Sequence, residues 1–371
     1  MKGIVFWAHS YCRSVLGFYK GLGEAWNVPI KVFIWKKNAK LRTKIGFKED
    51  EFSDLDITFI GNDYELALNI LHTHKEWHQI FCAYQTVKIY QYLIIEAKAL
   101  DCKIGIASEA PCNMQNGIKR FFKHLYIKGI LPIKTKRIRA CADFIINFSG
   151  DDDRPLLDIG WKKGQIVPCG YYSPAIVGSK CIKREESHWK NFRILLTGIH
   201  QWHRSPMLLL KAIKKLNEKG LSFECDITQK GPLYNRMQAF VNKHRMKNVH
   251  LLGFLPMEEI IKKYEECSVY IGAGNNEPWG IRLNDALMCG SPLIVNKGMG
   301  GYKLVDDYNC GFTFNVNDYE KLADILETII TDKELYLDIA DKAFNASKRI
   351  DPIVKSAEIA SIIKKKFPSW N

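Results

Sequence analysis

Glu277 and Asp285 stand eight residues apart around Pro278-Trp279-Gly280, with apolar runs before them (Val269, Tyr270, Ile271) and after them (Leu293, Ile294, Val295). Leu283, Ala286 and Leu287 recur at helical spacing until Cys289-Gly290, so the pattern predicts a strand, a loop carrying Glu277, and a helix. Asp285 is then expected about two turns beyond Glu277, with the free N–H groups and positive dipole end of the helix start between the two acids. A diphosphate can rest on those N–H groups while each carboxylate binds hydroxyls beside it. A sugar nucleotide presents that combination.

The elements around this turn follow one pattern. Strands are expected near residues 3–8, 31–35, 57–60, 79–83, 103–107, 143–147 and 165–168, with amphipathic helices between several of them, and Arg193-Ile194-Leu195-Leu196-Thr197-Gly198 opens a second series. Such alternation predicts α/β layering on parallel sheets. A charged, turn-rich stretch from Ser179 to Lys190 marks the expected boundary, and Asp351 to Phe367 reads as a helix.

The run Glu277-Pro278-Trp279-Gly280 through Asp285-Ala286-Leu287-Met288-Cys289-Gly290-Ser291-Pro292 resembles the GT-B glycosyltransferases of family 4, whose motif is Glu-Pro-Phe-Gly followed by Glu-Ala-Met-Ala-Cys/Ala-Gly-Thr/Ser-Pro-Val. The resemblance implies that Glu277 contacts the transferred sugar and Asp285 the ribose. Asp285 is one methylene shorter than the family's Glu, and Arg282 stands where an aliphatic residue is common. After Gly198 the family carries an Arg and then a Lys-Gly pair, both cations holding the diphosphate. This chain has Ile199 and Arg204-Ser205, so Arg204 is implied as the phosphate ligand, and Arg282, His200 or His203 as the replacement for the missing cation. Gly198, Gly280 and Ile281 are implied as further substrate contacts. Gln229-Lys230-Gly231-Pro232-Leu233 is similar to the family's Gly-x-Gly-Pro-Leu turn. Asn248 to Leu255 matches its strand beside the nucleoside, Gly300-Gly301 its double glycine, and Gln165 to Tyr171 the segment closing its first domain.

The implied architecture is α/β, GT-B: two Rossmann-like domains facing each other across a cleft. Residues 1–178 would form the acceptor-binding domain and 179–350 the nucleotide-sugar domain, with 351–371 a helix packing back on the first. The implied activity is retaining transfer of a hexosyl or N-acetylhexosaminyl group from a UDP- or GDP-sugar to an acceptor hydroxyl. The acceptor is expected to be a glycan or lipid-linked glycan of surface polysaccharide assembly. No cofactor and no metal are expected. The competing readings are a GT-B sugar-nucleotide epimerase and a non-catalytic sugar-nucleotide-binding protein.

In the first half, His9 follows the first strand, and Glu109 follows Ile104 to Ser108 at the expected carboxyl end of a strand, where α/β domains bind ligands. Glu109 is read either as a contact to the sugar or incoming hydroxyl or as a helix cap, and His9 as a substrate contact or an ordinary loop residue. From Cys112 to Arg139 the chain carries Lys119, Arg120, Lys123, Lys128, Lys134, Lys136, Arg137 and Arg139 without one acid, interleaved with Phe121, Phe122 and Tyr126. Cations beside aromatics favour an anionic membrane surface, so Lys119, Arg120, Phe121, Phe122 and Lys123 are the expected membrane contacts. Asp151-Asp152-Asp153 is read as helix-capping acids rather than a metal motif. His72, His74 and His78 lack the common face and third ligand that a metal needs.

Length and composition agree with a large two-domain enzyme: 371 residues, 47% hydrophobic, net charge +14. No apolar run reaches the ~18–20 residues of a membrane span. No nucleic-acid-binding pattern accompanies the charge. The 11 cysteines are scattered without Cys-x-x-Cys and read as reduced thiols, mostly buried. The expected location is cytoplasmic, peripheral on the inner face of the cytoplasmic membrane.

Overall fold

The computed structural model describes residues 1–36 and 54–371, and the chain divides into two compact units: Met1–Pro174 with Pro352–Asn371, and Ala175–Asp351. The first unit is built on strands β1 (Ile4–Ser10), β2 (Ile30–Lys36), β3 (Asp56–Phe59), β4 (His78–Phe81), β5 (Ile104–Ser108), β6 (Phe144–Asn147), β7 (Ser149–Gly150) and β8 (Ile166–Gly170). Their order is β3-β2-β1-β4-β5-β6-β8-β7, parallel throughout except for the two-residue β7, which pairs antiparallel with β8. Ile4, Val5, Phe6 and Trp7 are all fully buried, as expected of a strand covered by helices on both faces. The seven longer strands fall where apolar runs predicted them. Two-residue β7 offers no periodicity to read.

The helix Pro352–Lys366 belongs to this first unit and packs on Arg13–Trp26. A Cβ at Gly21 would lie 2.7 Å from the Ser356 side chain, so close approach of the two helices requires glycine there. Ser356 Oγ donates to the Phe18 carbonyl (2.9 Å), and Trp26 Nε1 donates to the Trp370 carbonyl (3.0 Å). Buried Trp370 in turn donates to Asp143 (3.0 Å), tying the chain end to the loop before β6.

The second unit is a six-stranded parallel sheet: β9 (Arg193–Leu196), β10 (Glu224–Thr228), β11 (Val249–Gly253), β12 (Val269–Gly272), β13 (Leu293–Asn296) and β14 (Gly311–Phe314), in the order β11-β10-β9-β12-β13-β14. In both sheets the winding reverses beside the first strand, between β1 and β4 and between β9 and β12. Loops leave such a switch point in opposite directions and open a crevice at the carboxyl ends of the strands.

Arg184, 1% exposed, shows how the second core handles a buried charge. Its guanidinium donates to the carbonyls of Ile182, Tyr264, Cys267 and Cys289 and to Ser291 Oγ, at 2.5–2.9 Å. All five donors are used without a carboxylate. The cysteines are all free thiols; Cys102, Cys169, Cys225, Cys267, Cys289 and Cys310 are buried and Cys181 is exposed. Among the described residues no helix is long and apolar enough to cross a membrane.

Candidate active site

At the β9/β12 switch point a small cavity is lined by Leu196 and Thr197 from the end of β9, by Tyr270 to Gly274 from β12 and its exit, and by Arg204, Glu277, Gly280, Arg282 and Met299. Arg204 Nη2 lies 3.4 Å from Glu277 Oε1, both side chains largely covered. The Glu277 loop is fixed from below. Glu277 N–H donates to the Gly298 carbonyl (3.0 Å), Gly300 N–H returns to the Glu277 carbonyl (3.1 Å), and Gly301 N–H reaches the Trp279 carbonyl (2.9 Å). Trp279, 2% exposed, donates through Nε1 to buried Asn284 (2.8 Å). The double glycine after β13 is therefore the seat of the acidic loop.

Gly198 has φ +116°, and a Cβ there would lie 2.5 Å from Arg204 Nη1 and 3.1 Å from Arg282 Nε. Two guanidinium groups thus converge on one backbone turn. Ile199 supplies no cation after Gly198, but Arg282, from the following helix, brings one to the same place. Arg282 donates to the Tyr264 hydroxyl. Burial opposes its charge, yet Tyr264, Tyr270 and Asp285 hold its pKa above the usual arginine value. Burial raises the pKa of both tyrosines, so at neutral pH they are uncharged. Thr197 Oγ1 bonds both tyrosine hydroxyls, at 2.9 and 3.0 Å, and so braces the platform under Arg282.

Not every expected residue joins this cavity. The helix runs only from Arg282 to Met288, with Ile281 as its N-cap residue, so Asp285 sits in its first turn rather than two turns beyond Glu277. The loop Glu277–Gly280 is not helical, and neither Asp285 nor Ile281 lines the cavity. His200 is 2% exposed and its pKa falls to about 4, through burial and then the charges of Arg204 and Arg282, so it is neutral and cannot serve as the missing cation. His203 is likewise shifted down by burial and by Arg204. The turns that resemble glycine-containing family motifs keep the glycine geometry: Ser205 has φ +45° and Gln229 φ +74°, both left-handed. Gly231 is required for another reason, because a Cβ would lie 2.5 Å from the His200 carbonyl oxygen.

The first unit has its own cavity of about 310 Å³ at the β1/β4 switch point, lined among others by His9, Ser10, Cys82, Ser108, Glu109 and Tyr171. It unites His9 and Glu109, a century of residues apart in the chain. Glu109 caps no helix, since the next one starts at Gly117. Instead the Tyr171 hydroxyl donates to its carboxylate, and burial and then the Glu109 charge push the Tyr171 pKa up. His9 N–H donates to Cys82 Sγ (2.9 Å), whose thiol burial raises to about 12.

The basic segment resolves into the helix Gly117–Leu125, a π-helical turn Tyr126–Ile130 and the helix Leu131–Cys141. In the first of these Ile118, Phe121, Phe122 and Leu125 repeat at i, i+3, i+4, i+7 and are 49–74% exposed. Lys119, Arg120 and Lys123 are exposed beside them. Farther along, Lys128 pairs with Asp158 (2.7 Å), Lys134 donates to the Gln85 carbonyl (3.3 Å), and Arg139 donates to the Pro132 carbonyl (3.0 Å). Ile130 and Ile133 (57% and 79% exposed) and the exposed Lys136 and Arg137 continue the mixture of apolar and basic side chains beyond Leu125.

Asp153 is the N-cap residue of Arg154–Asp158 without a side-chain cap bond. It pairs with Lys163 instead, while Asp152 accepts from the Arg154 N–H (3.2 Å) and side chain. His74 ends the helix Tyr64–Thr73 and His78 begins β4 with its ring against Trp370, so the three histidines share no helix.

Residues 182–346 match the family described as Glycosyl transferases group 1. An uncharacterized glycosyltransferase of Methanocaldococcus jannaschii is 24% identical over 143 residues, 38% of this chain and 39% of that relative, so the match spans about two fifths of its length. Anabaena HepE, solved in complex with UDP and glucose, aligns over 98% of this chain and all of its own, with TM-score 0.69 and 14% identity. WaaG, a glycosyltransferase involved in lipopolysaccharide biosynthesis, aligns over 97% and 99%, with TM-score 0.59 and 13% identity. The fold is GT-B, and the match to the group 1 glycosyl transferase family lies within the second unit. These findings together support a GT-B glycosyltransferase.

Proposed function

We propose that this protein transfers a sugar from a nucleotide-sugar to an acceptor hydroxyl with retention of configuration, as family 4 enzymes do. The observation that carries the reading is the convergence of Arg204 and Arg282 on Gly198, with Glu277 3.4 Å from Arg204. In this scheme the two guanidinium groups hold the diphosphate, for which forked donors suit bidentate contacts. As the bond between the anomeric carbon and the leaving oxygen breaks, negative charge grows on the diphosphate. Fixed cations stabilise that charge without reorganising. The diphosphate takes the acceptor's proton while the acceptor oxygen bonds the same face of the sugar. Glu277 orients the sugar hydroxyls, and Asp285 binds the ribose while holding Arg282 in place. His9 and Glu109, in the cavity of the first unit, contact the acceptor.

The acceptor proposed is lipid-linked, and the hexosyl or N-acetylhexosaminyl donor carries UDP or GDP; no metal is required. Gly117–Leu125 docks on an anionic bilayer, its apolar stripe inserting and its cations pairing with headgroups at about 1 kcal/mol each. HepE binds UDP and glucose, and WaaG serves lipopolysaccharide biosynthesis, which agrees with this choice. Incubation with UDP-, GDP- and ADP-sugars, with and without lipid-linked acceptor, tests the activity. Acceptor-dependent release of the nucleotide supports transfer; an epimerised nucleotide-sugar without acceptor, or binding without turnover, contradicts it. Cosedimentation with anionic liposomes is expected to be lost in a Lys119, Arg120, Lys123→Glu triple variant, and equal binding of both proteins removes the membrane role.

A further inference from the structure

A third cavity, about 560 Å³, lies in the second unit among the helices Pro206–Glu218, Tyr234–Lys243 and the start of Tyr319–Thr331. Its size is ordinary for a small-molecule site, about 300–1,000 Å³. Trp202, Phe240 and Tyr319 give it aromatic walls, Lys211, Arg236 and Lys243 give it cations, and no carboxylate lines it. The Arg236 guanidinium lies 5.7 Å from the Trp202 ring centre and Lys211 Nζ 5.3 Å from that of Tyr319. On the same helix as Lys211, Lys214 pairs with Glu218 and Lys215 with Glu320. Lys211, Arg236 and Lys243 form no such ion pair among the described residues. Trp202 leaves 53% of its surface exposed.

We propose that this cavity is a second ligand site, separate from the one around Arg204 and Glu277, for a small anion with a planar aromatic body. Flat rings stack on the aromatic walls, and the three cations take the charge, Arg236 and Lys211 being already placed beside ring faces. The two sites share one loop. Arg204 points to Glu277, while its neighbours Trp202 and Ser205 line this cavity. A ligand here therefore touches the backbone that presents Arg204.

Fluorine NMR on the full chain labelled with fluorotryptophan reads this site locally, with the Trp202 signal assigned through Trp202→Phe. Anilinonaphthalene sulfonate, an anionic planar probe, is expected to shift that signal saturably. A Lys211→Glu, Arg236→Glu, Lys243→Glu variant, altered at exposed side chains, is expected to bind at least about tenfold more weakly, the loss that follows from charge-assisted contacts. Neutral phenylnaphthylamine should bind more weakly than the sulfonate, and saturating UDP should leave the sulfonate in place. An unmoved Trp202 signal, equal binding of the neutral probe or of the triple variant, or displacement by UDP overturns the proposal. The first three outcomes leave the donor reading untouched, whereas displacement by UDP would place the nucleotide in this cavity and bear on that reading as well.

Discussion

Gly198→Ala separates the chemistry of the guanidinium pair from the stability of the fold. At φ +116° any side chain is strained, by about 1–3 kcal/mol. The new methyl would also stand 2.5 Å from Arg204 Nη1 and 3.1 Å from Arg282 Nε. Ordinary contact is about 3.5–4.0 Å, so the Arg204 tip must retreat by about 1 Å, and Arg282 by a few tenths. Both are ends of flexible side chains, so the retreat adds little to the folding cost. Its effect falls on function: a 1 Å error at the reacting centre costs about 100-fold in rate. A lost charge-assisted hydrogen bond costs about 1.5–3 kcal/mol, or roughly 10- to 100-fold in affinity for UDP. Gly220→Ala is the control, since φ is +72° with nothing within 4 Å of the added Cβ. Denaturant midpoints should fall in both variants, whereas calorimetric UDP affinity and transfer rate should fall only in Gly198→Ala. If UDP affinity is the same in both variants, the two guanidinium groups do not hold the diphosphate.

Arg204→Ala and Arg282→Ala should each lower the transfer rate by orders of magnitude, because leaving-group charge peaks in the transition state; a neutral Arg282→Ala would return Arg282 to a purely structural role. Stability should decline as pH falls from about 6.5 to about 4. Burial lowers His78 and His200 from 6.5 to about 4 in the folded chain, so the unfolded chain takes up their protons first, a loss of order 3 kcal/mol for each. Urea midpoints across that range test this, and an undiminished slope in His200→Gln would rule out its share.

How far the sequence speaks depends on whether its signals are local. β1, β5 and β6 each open on an apolar run, and such runs have few other places to go than a parallel sheet. Glu277, Gly280 and the Gly300-Gly301 seat lie within a short motif whose spacing is itself the signal. Arg282 stands out as a charge where the resemblance implies an aliphatic residue. Its partners Tyr264 and Tyr270 do not, because only the packing of the preceding helix and β12 brings them beneath it. The cavity of Trp202, Arg236 and Tyr319 draws on residues more than a hundred positions apart, and no periodicity marks it. In the basic segment, charge counts do not distinguish Lys128, paired with Asp158, from exposed Lys119 and Lys123. Asp285 illustrates a subtler limit, since the eight-residue spacing from Glu277 holds while the helix begins only at Arg282.

In the proposed reaction Glu277 serves the transferred sugar while the nucleotide is held elsewhere. Glu277→Gln keeps the size of the side chain and removes its charge. Measured side by side, its UDP affinity by calorimetry and its acceptor-dependent transfer from the best nucleotide-sugar separate the two roles. UDP affinity is expected close to wild type, with transfer abolished. Turnover at the wild-type rate would contradict the role of Glu277.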